Sequence, residues 1–155
     1  MEPKKKSRQL ELQRQGNEYR NLFEQVPCLI TVHDRNYRLL KYNREFAENF
    51  DPKPGAYCFT AYKGREDKCP NCPIEKTFKD GMSHRSEETG INKDGTITHW
   101  ITRTAPIKDS EGEIVAAMEM NLDITLSKQL EKKLETSEKK YYAIFNNIPN
   151  PVFVL

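Results

Sequence analysis

Three of the four cysteines form a pattern that could bind a metal ion or exchange a disulfide. They are spaced Cys58-x10-Cys69-x2-Cys72, and a proline follows each member of the close pair. Pro73 suits the first turn of a helix, which predicts that Cys72 lies at a helix N-terminus. The helix dipole at that position favours the thiolate, which is the form of cysteine that ligates metals and attacks disulfides.

Four kinds of chemistry fit these cysteines, and the sequence leaves all four open. Cys58, Cys69 and Cys72 could hold a structural zinc ion with Cys28 or His84 as the fourth ligand. Together with Cys28 they could hold an iron–sulfur cluster. A reversible disulfide between Cys69 and Cys72, or from Cys58 to either, would make a redox sensor. The fourth interpretation is that all remain free thiols in a loop.

Composition excludes a membrane-spanning segment and a secretory signal. The chain has 155 residues, of which 36% are hydrophobic and 31% are charged, with a formal net charge of +2. Its longest apolar runs, 114–118 and 151–155, have five residues each. A membrane-spanning helix needs roughly 20. No apolar stretch follows the basic N-terminal residues, so we expect a cytoplasmic location and no membrane contact within this segment.

The positive charges are concentrated towards the two ends of the chain. Residues 1–20 carry six basic and three acidic groups, and residues 126–140 carry five and three. Residues 21–125 carry 14 basic and 17 acidic groups. A nucleic-acid-binding domain would concentrate lysine and arginine on its folded face, so no nucleic-acid partner is predicted. No glycine-rich phosphate loop and no nucleophile with a recognisable base is present, so this segment is not predicted to be an enzyme.

A repeat at an offset of 122 residues divides the chain. Residues 19–32 align without gaps on residues 141–154, with identical Tyr, Phe and Pro positions. The repeat therefore predicts a helix, a globular unit, a second helix and the opening of a second unit, as in a segment of a longer protein. A heptad seam in the second helix predicts pairing into a homodimer, although a short helix packed on its own domain would show the same spacing. The seam consists of Leu130, Leu134, Ser137, Tyr141, Ile144 and Ile148.

Within the globular unit the pattern predicts the order β-β-α-α-α-β-β-β. Two short strands precede Asn43, which is expected to cap a helix over 44–50. The turns at 92–95 and 109–112 contain Asp-Gly and Glu-Gly, which favour tight hairpins between the last three strands. This order predicts an α+β fold with a five-stranded antiparallel sheet and its short helices on one face.

That order, with its motifs, resembles a PAS domain of the sensory-box type. The resemblance implies an N-terminal linker helix over 1–20, a PAS domain over 21–125, a signalling linker helix over 126–143 and the start of a second PAS domain over 144–155. The two linker helices are expected to be coiled-coil-like. The motifs that carry the resemblance are residues 30–34 and 37–43, Asp94-Gly95-Thr96, His99-Trp100, Ala105-Pro106-Ile107 and Leu122-Asp123-Ile124-Thr125.

The resemblance also implies a ligand pocket between sheet and helices. The residues expected to line it are Ile30, Val32, Phe46, Phe59, Met118 and Met120. Light-sensing members bind flavin at an Asn-Cys-Arg-Phe motif, from which the stretch 71–74 departs, so flavin photochemistry is not expected. Haem of the common PAS type would need a histidine on the helix over 74–79, where this sequence has none.

The exit signature is expected to couple the last strand to the linker helix. The Asp123 carboxylate or the Thr125 hydroxyl can accept hydrogen bonds from the first turn of that helix. The resemblance implies a sensory or dimerisation module that detects a small ligand, or a redox or metal state, and signals to an output domain in the same chain. We expect that domain to be a histidine kinase, with a transcription regulator or a diguanylate cyclase as alternatives. A thiol oxidoreductase built on Cys69 and Cys72 is disfavoured because the surrounding order lacks the βαβ pattern of such enzymes.

Overall fold

A computed structural model describes residues 2–148 and contains five helices and five strands in that range. The order of strands and helices between residues 29 and 123 is the predicted β-β-α-α-α-β-β-β, which confirms the α+β class. The helices are α1 (Glu2–Gln25), α2 (Arg44–Phe50), α3 (Cys58–Lys63), α4 (Pro73–Asp80) and α5 (Thr125–Asn146), and the strands are β1 (Leu29–His33), β2 (Leu39–Tyr42), β3 (Arg85–Ile91), β4 (Ile97–Lys108) and β5 (Ile114–Asp123).

The five strands form one antiparallel sheet, as predicted, in the order β2-β1-β5-β4-β3. The predicted tight turns join β3 to β4 and β4 to β5. Asp94 accepts a hydrogen bond from the Thr96 N–H at 2.9 Å, and Asp109 accepts from the N–H groups of Glu111 and Glu113 at 2.9 and 3.0 Å. These side-chain bonds hold the turn backbone. The long strands β4 and β5 pair with one register shift, between Ile107 and Lys108 at the end next to their turn.

Asn43 caps α2 as predicted and also joins it to β1. Its Oδ1 accepts hydrogen bonds from the N–H groups of Phe46 at 3.2 Å and Ile30 at 3.1 Å, and its Nδ2 donates to the Cys28 carbonyl at 2.9 Å. The side chain is fully buried. Because every polar atom of this amide has a partner, its burial is compatible with stability.

An aromatic cluster fills the space between the helices and the sheet. The ring centroids of Phe46 and Tyr62 are 4.7 Å apart, and those of Phe50 and Trp100 are 5.5 Å apart. Their interplanar angles near 60° give edge-to-face contacts, which aromatic pairs favour. The cluster attaches α2 and α3 to the strand β4.

The chain divides into two compact units, Met1–Asp123 and Ile124–Leu155. The helix α1 continues to Gln25, past the bound at 20 implied for a linker, and α5 covers the whole of 126–143. None of the described residues of α5 is buried within the chain. The strand of the second repeat, over 149–155, lies outside the described residues. No helix within residues 2–148 combines the length and the apolarity that a bilayer crossing requires.

Candidate functional site

The sheet has two faces of opposite character. On the inner face, which α2, α3 and α4 cover, Thr31 of β1 lies opposite Glu119 of β5. On the outer face the neighbouring pairs are Ile30 with Met120 and Val32 with Met118. Successive side chains of a strand point to opposite faces, so the polar members of β1 and β5 are directed towards the helices.

A hydrogen-bond network on the inner face is centred on the Tyr62 hydroxyl of α3. This oxygen lies 3.0 Å from Thr31 Oγ1 and accepts from Asn121 Nδ2 at 2.8 Å. Asn121 Nδ2 also donates to Glu119 Oε1 at 2.9 Å, and Thr102 Oγ1 donates to Asn121 Oδ1. The network therefore connects β1, β4 and β5 with α3. A change in one of its side chains alters hydrogen bonds on several strands.

A cavity of about 30 Å³ lies beside this network, between α3, α4 and the sheet. That volume holds on the order of two water molecules. It is lined by apolar rings and by groups that can donate or accept hydrogen bonds, which suits a small polar occupant. The lining residues are Cys58, Phe59, Tyr62, Lys63, Cys69, Cys72, Pro73, Glu88, Trp100, Thr102, Glu119 and Asn121.

Two acidic groups and one cation line the cavity. Lys63 forms an ion pair with Glu88, which also accepts from Ser86 Oγ at 2.9 Å. Burial acts to lower the pKa of Lys63, but the hydrogen bond to Glu88 and the nearby acidic groups outweigh it and raise the pKa. Burial raises the pKa of Glu119, against the hydrogen bond from Asn121. The charge of the cavity thus depends on the protonation of Glu119.

The three spaced cysteines all line the cavity as free thiols. Cys72 is the N-cap residue of α4 and Pro73 is in its first turn, as predicted. The expected thiolate at Cys72 was wrong, because burial raises its pKa even though the N–H groups of Glu75 and Ile74 act to lower it. Burial likewise raises the pKa of Cys58. Desolvation outweighs the helix dipole at this helix end.

The structure brings neither of the predicted fourth ligands, Cys28 or His84, to these three thiols. Cys28 lies before β1 in a separate depression beside Glu45 and Asp123. His84 is hydrogen-bonded elsewhere, because its Nε2 lies 2.8 Å from the carboxylate oxygen Oδ2 of Asp80. Within the described residues, no group of three or more His, Cys, Asp or Glu side chains is arranged to hold a metal ion. We therefore derive no chemistry through zinc or an iron–sulfur cluster.

The predicted pocket residues are mostly on the wrong face. Phe59 lines the cavity, and Phe46 packs beside it in the aromatic cluster. The other four, Ile30, Val32, Met118 and Met120, lie on the outer face. The prediction assumed that the apolar members of each alternating strand face the helices. In this fold the inner face is polar, so both β1 and β5 were assigned one residue out of phase.

Several cavity residues were not identified from the sequence. Tyr62, Lys63 and Glu88 belong to segments that carry no motif, and Glu119 and Asn121 were not among the candidate residues. The alternation of Glu119 and Asn121 with methionines was the available signal, since it marks β5 as a strand with one polar face. That alternation does not indicate which face the helices cover.

His33 is the end member of the polar network. It is completely buried, and its Nε2 lies 2.7 Å from Thr31 Oγ1. Its Nδ1 has no hydrogen-bond partner within residues 2–148. Burial lowers the pKa of His33 to about 4, against the opposing charge of Asp34. The imidazole is therefore neutral at physiological pH.

The exit residues lie where the sheet leads into α5. Asp123 is the last residue of β5 and pairs with Trp100 of β4, and Thr125 is the first residue of α5. The N-cap residue is Ile124, whose side chain forms no cap hydrogen bond. A cap by Asp123 or Thr125 stays a prediction.

The cavity does not fit flavin or haem, the two cofactors considered for a PAS domain. A volume of about 30 Å³ is far smaller than a flavin or a haem group. The residues that line the cavity include no histidine, and the basic residue among them is Lys63. We therefore derive no step through either group.

The five-stranded antiparallel sheet with its helices on one face is the PAS fold, and solved structures share it. The PAS domain of an HTR-like protein from Haloarcula marismortui is 17% identical, with a TM-score of 0.61, over 77% of this chain and 99% of that one. An RNA-binding Light-Oxygen-Voltage receptor is 16% identical, with a TM-score of 0.65, over 80% of this chain and 37% of that one. These likenesses establish the PAS fold.

A third similar structure is the VqmA dimer of Vibrio cholerae, a LuxR-type receptor with a target DNA. It is 20% identical, with a TM-score of 0.57, over 71% of this chain and 52% of that one. This chain thus spans about half the length of VqmA. The sequence matches no family model and no curated relative.

Proposed function

We propose that this chain is a sensory PAS module and not an enzyme. Its signal is a small polar ligand, or the redox state of the thiols, in the cavity on the inner face of the sheet. The observation that carries this proposal is the buried network of Tyr62, Asn121 and Glu119 beside the cavity. Buried polar groups cost stability unless they are fully paired, so an inner face built from them indicates a use other than packing.

The module passes its signal through β5 into α5 and on to an output domain in the same protein. Asn121 touches the cavity and lies two residues before Asp123, where β5 ends and α5 follows. A ligand that changes the hydrogen bonds of Asn121 acts on the strand that leads into the linker helix. A change of this kind needs no large movement, because a packed network has few alternative arrangements.

The proposed output domain is a histidine kinase in the cytoplasm. The exposed, heptad-patterned α5 supports it as a helix that joins two domains. A transcription regulator is the second candidate, favoured by the likeness to VqmA, a LuxR-type receptor with a target DNA. A diguanylate cyclase fits the same linker. The segment itself carries no surface that we assign to nucleic acid.

Native mass spectrometry of the isolated protein tests the sensory proposal. We expect a bound small molecule in protein prepared from cell extract without oxygen, and its loss in an Asn121→Leu variant. Met120→Leu is the matched control, because it changes the neighbouring residue on the outer face and should keep the molecule. A wild-type protein without any bound molecule, whose α5 amide exchange is unchanged by Asn121→Leu, would contradict the proposal.

A second copy of this chain is the proposed partner of α5. Leu130, Leu134, Tyr141 and Ile144 of α5 recur at heptad spacing and each is more than half exposed, whereas the predicted seam member Ile148 lies beyond the end of α5. Exposed apolar residues at this spacing favour a parallel two-stranded coiled coil. The likeness to VqmA, which is described as a dimer, supports the same assembly.

Sedimentation at roughly 50 μM tests the dimer, since association depends on protomer concentration. We expect a dimer for the wild type and a monomer for Leu134→Glu. Thr136→Glu adds the same charge at an exposed position outside the seam and should remain dimeric. A wild-type protein that sediments only as a monomer would overturn this proposal while leaving the cavity's role intact.

A further inference from the structure

The three thiols of the cavity differ in exposure and in the charge beside them. Cys58 and Cys72 are buried, whereas Cys69 is partly exposed. Lys63, which pairs with Glu88, lines the same cavity as Cys69, so its ammonium charge lies near the Cys69 sulfur. A positive charge beside a partly exposed sulfur is the environment in which cysteines react with oxidants, while buried cysteines are inert until a partner reaches them.

The chain between Cys69 and Cys72 is a tight turn. Pro70 and Asn71 form it, and Asn71 has a φ of 54°, in the left-handed region that favours glycine or asparagine. Cys72 then caps α4, and both cysteines pack on the buried cluster of Ile74 and Ala117. Cys58 belongs to α3 and the aromatic cluster, on which Cys69 also packs. The two-residue turn keeps Cys69 next to Cys72 along the chain, whereas Cys58 lies on a separate helix.

We infer that Cys69 is the entry thiol for a hydroperoxide and that Cys72 is the thiol that resolves its oxidised form. The Cys69 thiolate attacks one peroxide oxygen, the O–O bond breaks, and the leaving oxygen takes a proton to become water or an alcohol. Cys69 is then a sulfenic acid. The Cys72 sulfur displaces its hydroxyl, which leaves as water with the Cys72 proton, and a Cys69–Cys72 disulfide forms. Two thiols are oxidised by two electrons and the peroxide is reduced.

The disulfide would act on the sheet through α4. Cys72 is the residue from which α4 begins, Ile74 of the next turn is fully buried, and Thr77 Oγ1 lies 2.6 Å from Thr104 Oγ1 of β4. A bond that draws Cys72 towards Cys69 must move this helix end or the cysteine turn. This inference rests on the proposed sensory function and specifies the regulation of the same cavity.

Hydrogen peroxide added to the reduced 155-residue protein tests the assignment. We expect the loss of two of the four free thiols, with peptide mapping showing a Cys69–Cys72 bond and reversal by a dithiol reductant. In Cys72→Ser the sulfenic acid has no resolving thiol, so dimedone should trap it at Cys69. Cys28→Ser is the matched control, because Cys28 lies outside the cavity, and it should still lose two thiols.

The role of the cation has its own variant. Lys63→Gln keeps a hydrogen-bond donor but removes the charge, so we expect peroxide to consume the first thiol about tenfold more slowly, as for other thiolates that lose a cationic neighbour. The thiol count at completion should be unchanged. An equal rate in Lys63→Gln and wild type would overturn the assignment of Cys69 as the activated thiol.

Other outcomes separate this inference from the sensory proposal. Four thiols that survive peroxide, or a disulfide that includes Cys58, would overturn the inference, and a bound small molecule would still support the sensory function. A Cys69–Cys72 bond that forms as expected but leaves amide exchange in β5 and α5 unchanged would support the chemistry and contradict its use as a signal.

Discussion

The inner and outer faces of the sheet divide polar and apolar residues in an unusual way. On the inner face, Thr31 and His33 are fully buried and Asn121 is 1% exposed. On the outer face, Met120 and Leu122 are 38% and 54% exposed. An antiparallel sheet with one covered face commonly buries its apolar side. Here the helices cover the polar side, and the apolar side has no cover from α2, α3 or α4.

With this arrangement, one set of residues supplies the apolar core and another set supplies the polar groups of the proposed sensing cavity. The aromatic rings of the helices and Trp100 supply most of the apolar contacts of the inner face, so the strands can contribute polar groups without losing the core. Those groups are paired with one another, which limits the cost of burying them. On the outer face, Met118 and Met120 contribute apolar side chains, for which a volume-conserving substitution matters less.

The largest expected effect comes from adding a methyl group at Gly90, where the chain packs against the Trp100 ring. A Cβ at Gly90 would lie 2.1 Å from the Trp100 ring and 2.4 Å from the Tyr62 carbonyl oxygen, so the Gly90→Ala variant must displace the core. We expect it to lower the free energy of unfolding by roughly 3 kcal/mol, the upper end for overpacking. Denaturant titration measures this change.

Gly16→Ala is the control for Gly90→Ala. Gly16 lies in α1 with nothing within 4 Å of its added Cβ, and alanine favours helix. Its stability should equal or exceed that of the wild type. If the two variants were equally stable, the tight contact of β3 with the inner-face core would be refuted.

His33 gives the inner face a dependence on pH. Because burial lowers its pKa to about 4, the unfolded chain takes up a proton as the pH falls through 6.5 while the folded protein does not. This contribution to stability is fully present above pH 6.5 and is lost as the pH falls towards 4. A shift from 6.5 to about 4 corresponds to about 3 kcal/mol.

Comparison with a His33→Gln variant isolates that contribution. The difference in unfolding free energy between wild type and variant should fall by this amount between pH 7 and pH 4, with the wild type losing more. Urea titrations at several pH values measure it. A difference that stays constant with pH would show that His33 titrates alike in the folded and unfolded chains. Glu119 acts in the opposite direction, because its raised pKa means that the folded state loses stability as the pH rises above 4.5.

The two faces should also respond differently to one apolar substitution. Asn121→Leu leaves the Thr102 hydroxyl and the Tyr62 hydroxyl without their amide partner, and we expect a loss of about 2 kcal/mol. Met120→Leu on the outer face conserves volume and should cost less than about 1 kcal/mol. Thermal unfolding of both variants measures the contrast. Equal losses would mean that the inner-face network does not contribute to stability.

The fold was predictable because local signals agreed with one another. Asn43 before a short helix and Asp-Gly and Glu-Gly before strands each specify a cap or a turn, and together they define the element order. The grouping of Cys58, Cys69 and Cys72 in one cavity also followed from their spacing. These features depend on residues that are close in sequence or on a single loop.

The phase of the strands was not predictable in the same way. Ile30 and Thr31 alternate equally well in either phase, and only the docking of α3, through Tyr62, selects the polar side as the covered one. The state of Cys72 was mistaken for a related reason. Its helix end could be read from Pro73, whereas its burial depends on the packing of α4 against the sheet.

The amide NMR spectrum of the isolated protein, compared with that of protein unfolded and refolded to remove any bound molecule, tests the central claim that the inner-face cavity is the sensing site. We predict shifts at residues that line the cavity, such as Tyr62, Cys72 and Asn121, which continue through Asp123 into α5. Identical spectra, or shifts confined to the outer-face residues Met118 and Met120, would contradict it.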